Sequence, residues 1–187
     1  MHPCVPHTPE ASVFHTQHGE RVHMRAVVPY DRALLTDLLV RLSDATRWLR
    51  YFSSGTKSFV LAGQEATRMA QRRTDDRAAL VATIRHGDVE EAIAVAEVVR
   101  DQRTATVGEL AIVVRDDYQA QGIGSALGGQ LVQIARAIGI TTVRAEILFE
   151  NYAAQRLMCR VFGPPTATRH TDVVEMMAHL SNPISNG

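Results

Sequence analysis

Apolar and polar positions alternate through RVHMRAVV from Arg21, the period of a strand, and Pro29, Tyr30 and Asp31 then form a turn that opens a helix. Leu34, Leu35, Leu38, Leu39 and Leu42 recur at helical spacing through DRALLTDLLVRL, and Ser43 with Asp44 can cap a second short helix, ATRWLRYF. SSGTKSFVLAG has loop chemistry, and QEATRMAQRR reads as a third short helix ending at Asp75 and Asp76. Three strand-like runs follow, RAALVATIRHG, EAIAVAEVVRD and TATVGELAIVVR. The polar turns HGDVE and DQRT separate them, which predicts an antiparallel meander. In QAQGIGSALGGQLVQIARAIGI, Ile123, Leu127, Leu131, Ile134 and Ile138 share one helical face and Gly139 suits a C-terminal cap. TTVRAEILF reads as a strand, NYAAQRLMCRVF as a helix with Asn151 at its N-cap, and TDVVEMMAHL as a last strand.

This order predicts an α/β (α+β) fold, a mixed and mostly antiparallel sheet with helices on both faces, and not a doubly wound one. A single domain is expected over residues 21–180, with tails at 1–20 and 181–187. Apolar residues make up 45% and charged residues 21%, a globular mixture that excludes wholesale disorder. Twenty basic and twenty acidic side chains cancel, so no global field draws the chain to nucleic acid or to an anionic membrane. Any anionic ligand must be held locally.

The N-terminus has no basic start followed by an apolar stretch, and Cys4 and Cys159 lie far apart. Both features fit a cytoplasmic protein without a structural disulfide. His2, His7, His15, His18 and Cys4 crowd the start at spacings that match no metal-ligand pattern, so a solvated tail is expected and no metal.

The sharpest local signal is Gln119, Ala120, Gln121, Gly122, Ile123, Gly124, Ser125, between a strand and a long helix. Glycines let the backbone turn its N–H groups toward a ligand, and the helix start adds partial positive charge, which together hold a phosphate without net charge. A dinucleotide fingerprint needs glycine where Leu127 stands, and a P-loop needs Gly-Lys-Ser/Thr, which is absent.

Gln-x-x-Gly-x-Gly after a hydrophobic strand, preceded by VRDDY and followed by a long amphipathic helix, resembles the acetyl-CoA-binding motif of the GCN5-related N-acetyltransferase (GNAT) superfamily. NYAAQRLMCRVF resembles that superfamily's next helix, whose opening Asn, here Asn151, lies near the pantetheine arm. MRAVVPYDRALLTDLLVRLSDATRWLRYFS and GELAIVVRDDYQAQGIG are similar to the bacterial Pat-type protein lysine acetyltransferases, and the likeness covers nearly all of residues 21–180. The resemblance implies an acyltransferase with acetyl-CoA as cosubstrate. It also implies that the backbone from Ile112 through Val113 to Val114 pairs with the pantetheine arm as an added strand. Some relatives carry a further cyclic-nucleotide-binding or acyl-CoA-synthetase-like domain, and some twenty tail residues are too few for either.

Acetyl transfer to an amine needs an uncharged nitrogen, a thioester beside it and stabilisation of the developing oxyanion. A lysine amine has a pKa near ~10.4, so a base is needed. Glu109 is a lone carboxylate in the apolar strand VGELAIVV, where burial would raise its pKa; from the residues alone it is either a base or an outward strand glutamate. The resemblance assigns it the base. Many relatives place a Tyr on the Asn151 helix as acid for the departing thiolate, but Met158 stands here. Arg136, Arg144, Arg156 and Arg160 are open between a CoA phosphate and plain surface, and Trp48, Leu49, Tyr51 and Phe52 between an acceptor cleft and helix packing. The expected acceptor is a protein lysine, with an acyl-CoA synthetase suggested by resemblance. The alternatives are a small amine (polyamine, amino acid or aminoglycoside) and a non-catalytic acyl-CoA sensor.

Overall fold

The computed structural model describes residues 11–52, 59–71 and 76–180. The histidines and cysteine before residue 11, the expected helix end at Asp75 and the tail from residue 181 lie outside the described residues. One eight-stranded sheet runs in the order β1-β2-β3-β4-β5-β6-β8-β7. Its strands are β1 Ser12–His15, β2 Arg21–Ala26, β3 Arg77–His86, β4 Val89–Arg100, β5 Val107–Val114, β6 Thr142–Leu148, β7 Thr166–His170 and β8 Val173–His179. The helices are α1 Arg32–Arg41, α2 Asp44–Tyr51, α3 Phe59–Met69, α4 Ile123–Ala137 and α5 Tyr152–Phe162.

The expected meander is present, with β3, β4 and β5 paired antiparallel in sequence order. Strands β3 and β4 read as near-continuous apolar runs because both their faces are covered. One core gathers Leu80, Val98 and Leu110 with Leu127, Leu131, Met158 and Phe162 of α4 and α5. The other gathers Val81, Val95 and Val113 with Leu35, Leu38 and Leu42 from the α1 region and Ala66 and Met69 of α3.

Three elements depart from the sequence reading. Ser12–His15 pairs with β2, so the sheet begins inside the segment read as a tail; Phe14 packs on the first core there. Helix α3 starts at Phe59, within the stretch read as a loop. Strand β7 is exposed at every position, so its polar residues carry no burial period to read.

One pairing positions the site. Strands β5 and β6 form the single parallel pair among the described residues, and their register holds only for Val107, Gly108 and Glu109 against Thr142, Val143 and Arg144. Beyond Glu109, β6 stays paired with β8 as far as Leu148, while β5 stays paired with β4 as far as Val114. The sheet therefore parts along this seam. Gly108 lies at its root because a Cβ there would meet Val98 Cγ2 at 2.7 Å and Ile140 Cδ1 at 2.8 Å.

Candidate functional site

A cavity of about 560 Å³ opens where β5 and β6 diverge, between the loop that enters α4 and the outer side of α5. Ile112, Val113 and Val114 form one wall, with Gln119, Ala120, Gly122, Ile123, Gly124 and Ser125 at the loop and Asn151 opposite. Ten of the eleven residues predicted for cofactor binding thus line one space. The exception is Gln121, whose amide donates to the Asp117 carbonyl at 3.0 Å and ties the loop to the preceding turn.

The loop's shape follows from its residues. Asp116–Tyr118 forms a single 3-10 turn, Ala120 takes φ 58° and Gly122 takes φ 88° at the N-cap of α4. A left-handed alanine is strained, and such strain persists where surrounding structure imposes it. The Gly122 cap has no side chain to satisfy the helix start. Ala126 N–H bonds the Gly122 carbonyl, and the N–H groups of Ile123, Gly124 and Ser125 have no acceptor among the described residues. Gly124 matters for space, since a Cβ there would lie 3.3 Å from Leu157 Cδ2 and 3.7 Å from Val114 Cγ2.

The charge of the lining is one-sided. Arg50, Arg156 and Arg160 border the cavity, and no aspartate or glutamate does so among the described residues. A protein of zero net charge thus concentrates cations and free N–H donors in one concave place, which suits a polyanionic ligand. Arg156 and Arg160 are therefore in the lining, whereas Arg144 is committed to Asp101 at 3.0 Å.

A smaller recess of about 80 Å³ continues into the seam, lined by Leu110, Ala111, Ile112, Ala145, Ile147, Met158 and Phe162 and by one carboxylate, Glu146 of β6, which the sequence reading did not single out. It is mostly apolar and shares Leu49, Arg50, Asn151, Ala154 and Leu157 with the larger cavity. Asn151 caps α5 by accepting from Ala154 N–H at 3.1 Å, as its position predicted. Met158 is buried, and no tyrosine lines the recess among the described residues. Tyr152 is largely exposed, stacked edge-on against Phe149.

Glu109 lies at the last paired position of the seam, one residue before Leu110 of the recess. It lines neither cavity. Strand alternation places it on the face of Val113, away from the side that packs on α4 and α5. The burial expected of it is absent: it is exposed, and its apolar strand loses the neighbour β6 beyond this residue.

Helix α2 spans the seam from the other side, and none of its residues is buried. Asp116 holds one end, accepting from Ser43 N–H at 2.9 Å, Ser43 Oγ at 2.5 Å and Thr46 Oγ1 at 2.7 Å. Glu150 holds the other, accepting from Trp48 Nε1 at 2.9 Å. Leu49 and Arg50 consequently face the cleft, whereas Tyr51 packs on the second core. Burial pushes the Asp116 carboxyl up, but bonds from Ser43 and Thr46 outweigh it and leave the pKa below the ordinary 3.8. A depressed carboxylate stabilises the fold above its unfolded pKa, and that contribution is lost as pH falls through the lower folded value. Trp48 is the sole tryptophan, so its fluorescence reports on α2. An acid titration is expected to show a Trp48 transition below pH 3.8 that Asp116→Asn removes; an unchanged transition would detach Asp116 from α2.

Known proteins match this arrangement. Residues 45–163 match the acetyltransferase (GNAT) family. The chain is 32% identical over 143 residues to acetyltransferase Pat of Mycolicibacterium smegmatis, covering 76% of this chain and 41% of that protein's length. The crystal structure of the GNAT domain of S. lividans PAT superposes with TM-score 0.78 at 24% identity, covering 90% of this chain and 96% of that one. Spermidine N-acetyltransferase from Vibrio cholerae, solved with CoA and spermine, superposes with TM-score 0.64 at 13% identity, covering 85% of this chain and 95% of that one. At those two identities the superpositions speak for the fold alone. The family match spans the seam, the glycine loop and α5, so the elements that build the cleft are the ones that place this chain in the acetyltransferase (GNAT) family of acyltransferase enzymes.

Proposed function

We propose that the protein transfers acetyl from acetyl-CoA directly to an amine, with a protein lysine as acceptor and Glu109 as general base. The observation that carries this reading is the cleft: a large cavity bordered by three arginines, of which Arg50 also lies 3.6 Å from Glu97, with free N–H groups at the α4 start and no carboxylate in its lining among the described residues, leads into a mostly apolar recess in the parted sheet whose one carboxylate is Glu146. The residues present fit a long ligand with an anionic end and a small apolar end. Ile123, Gly124 and Ser125 would hold the diphosphate, the β5 backbone from Ile112 to Val114 the pantetheine arm, and the recess the acetyl group. Bound acetyl-CoA supplies an activated acyl carbon with a thiol leaving group.

The acceptor would approach from the face that carries Glu109, opposite α4 and α5. Glu109 takes the proton from the amine, directly or through a water, as the new C–N bond forms and the C–S bond breaks. Among the described residues the recess offers no tyrosine to protonate the thiolate. A thiol pKa near ~8.5 makes the thiolate an acceptable leaving group without one. The exposure of Glu109 favours a macromolecular acceptor, because a lysine on a folded surface can meet an exposed base without entering a closed pocket. The resemblance of the sequence to Pat-type protein lysine acetyltransferases supports the same acceptor class, and an acyl-CoA synthetase is the acceptor that this resemblance suggests.

The test is a competition at equal amine concentration between such a protein and a panel of polyamines, amino acids and aminoglycosides. The protein lysine is expected to win in kcat/KM by at least about tenfold, a difference of about 1.4 kcal/mol in transition-state binding. A small amine that wins by that margin overturns the acceptor while leaving the acetyltransferase. No transfer to any amine would favour an acyl-CoA sensor.

A further inference from the structure

The N-terminal strand meets the glycine loop directly. Phe14 fills the space beside Gly122, where a Cβ would lie 3.0 Å from Phe14 Cζ. Two further contacts tie the same segment to the loop and its helix: Tyr118 OH donates to Glu20 Oε1 at 3.3 Å, and Gln130 Nε2 donates to Ser12 Oγ. Between them the chain turns tightly. Gly19 N–H bonds the Thr16 carbonyl at 2.9 Å, Glu20 N–H bonds Thr16 Oγ1 at 3.1 Å, and Thr16 is buried.

That turn presents Gln17 to the large cavity, beside Tyr118, Ala120 and Gly122 in its lining. Gln17 is exposed, and its amide has no hydrogen-bond partner among the described residues. An amide donor there adds to the free N–H groups of the α4 start without adding charge. Across the cavity, Arg156 and Arg160 stand on α5, so the anionic end of a ligand would lie between Gln17 and the two arginines.

We propose that the turn after β1 belongs to the cofactor site, with Gln17 donating to the diphosphate of bound acyl-CoA and Phe14 acting as a positioning residue that holds the loop at Gly122. This rests on the cleft binding acyl-CoA, and it adds a binding element from a part of the chain outside the family match at residues 45–163.

The test uses the full chain and two ligands, CoA and acetylpantetheine, which lacks the diphosphate and the nucleotide. Gln17→Ala should raise the Kd for CoA by about tenfold, as loss of one hydrogen bond to a charged group does. Gln17→Glu should raise it further and Gln17→Lys restore it, while acetylpantetheine affinity and the apo melting temperature stay constant across the series. Phe14→Ala should raise KM for acetyl-CoA with kcat unchanged, and Phe14→Leu should recover most of the loss. A CoA affinity indifferent to charge at position 17, or equal losses for both ligands, overturns the Gln17 assignment. A Phe14→Ala effect confined to kcat overturns the positioning role. A wild-type protein that binds neither ligand overturns the cleft reading itself, an outcome separate from a flat Gln17 series on a wild type that binds CoA.

Discussion

Glu109→Gln is expected to lower turnover by ~10² to 10⁴, the usual share of a general base, while acetyl-CoA affinity stays at the wild-type value. The side chain lines neither cavity, so its loss takes nothing from the ligand's contacts. Glutamine keeps the size and polarity of the group and removes only its capacity to accept the proton. The defect should shrink as pH rises toward the acceptor lysine's pKa of ~10.4, where more of the amine is already neutral. Steady-state rates from pH 7 to pH 10, with affinity measured separately by calorimetry, check both halves. A variant with wild-type rate at pH 7 would move the base elsewhere.

Gly124→Glu should raise the Kd for acetyl-CoA by at least about a hundredfold with the fold retained. Its Cα faces Leu157 across the cleft and Val114 beside it, both of which line the same cavity. A glutamate there fills ligand space and sets a negative charge at the helix start, where anions are otherwise favoured. The position lies at the helix's first turn without a left-handed φ, so the backbone accepts a side chain. Acetyl-CoA should raise the wild-type melting temperature by mass action and leave that of the variant unchanged. An equal rise in both would place the ligand elsewhere.

Local pattern revealed the elements that bury a continuous face. Helix α4 was readable from Ile123, Leu127, Leu131, Ile134 and Ile138; the first four are buried as that spacing requires, and Ile138, at the C-cap, is partly buried against the same core. Strands β3 to β5 were readable as apolar runs between polar turns. Strand β7 was not, because Thr166, Thr168 and His170 bury nothing and pair only along β8. The start of α3 was hidden in FVLAG, whose glycine has loop character but sits inside the helix.

The cofactor side of the site was legible because its loop is contiguous in sequence. Gln17, Thr46 and Arg50, which complete it, were not, since the turn after β1 and helix α2 come to the seam only through the sheet order and the contacts of α2, and Leu49 was readable only as open between a cleft and helix packing. Arg156 and Arg160 were visible as cations, but their spacing could not separate a cleft from a surface. Glu109 shows the same limit. An apolar strand predicts which face a side chain takes, and only the parting of β5 from β6 decides what covers that face.

Backbone hydrogen exchange with and without acetyl-CoA tests most directly whether the parted sheet and the α4 start hold it. Binding should slow exchange at Ala120, Gly122, Ile123, Gly124 and Ser125, and along β5 from Ile112 to Val114, because these N–H groups would gain acceptors or lose access to water. Protection confined to other segments, or no protection at a saturating ligand concentration, would contradict that placement.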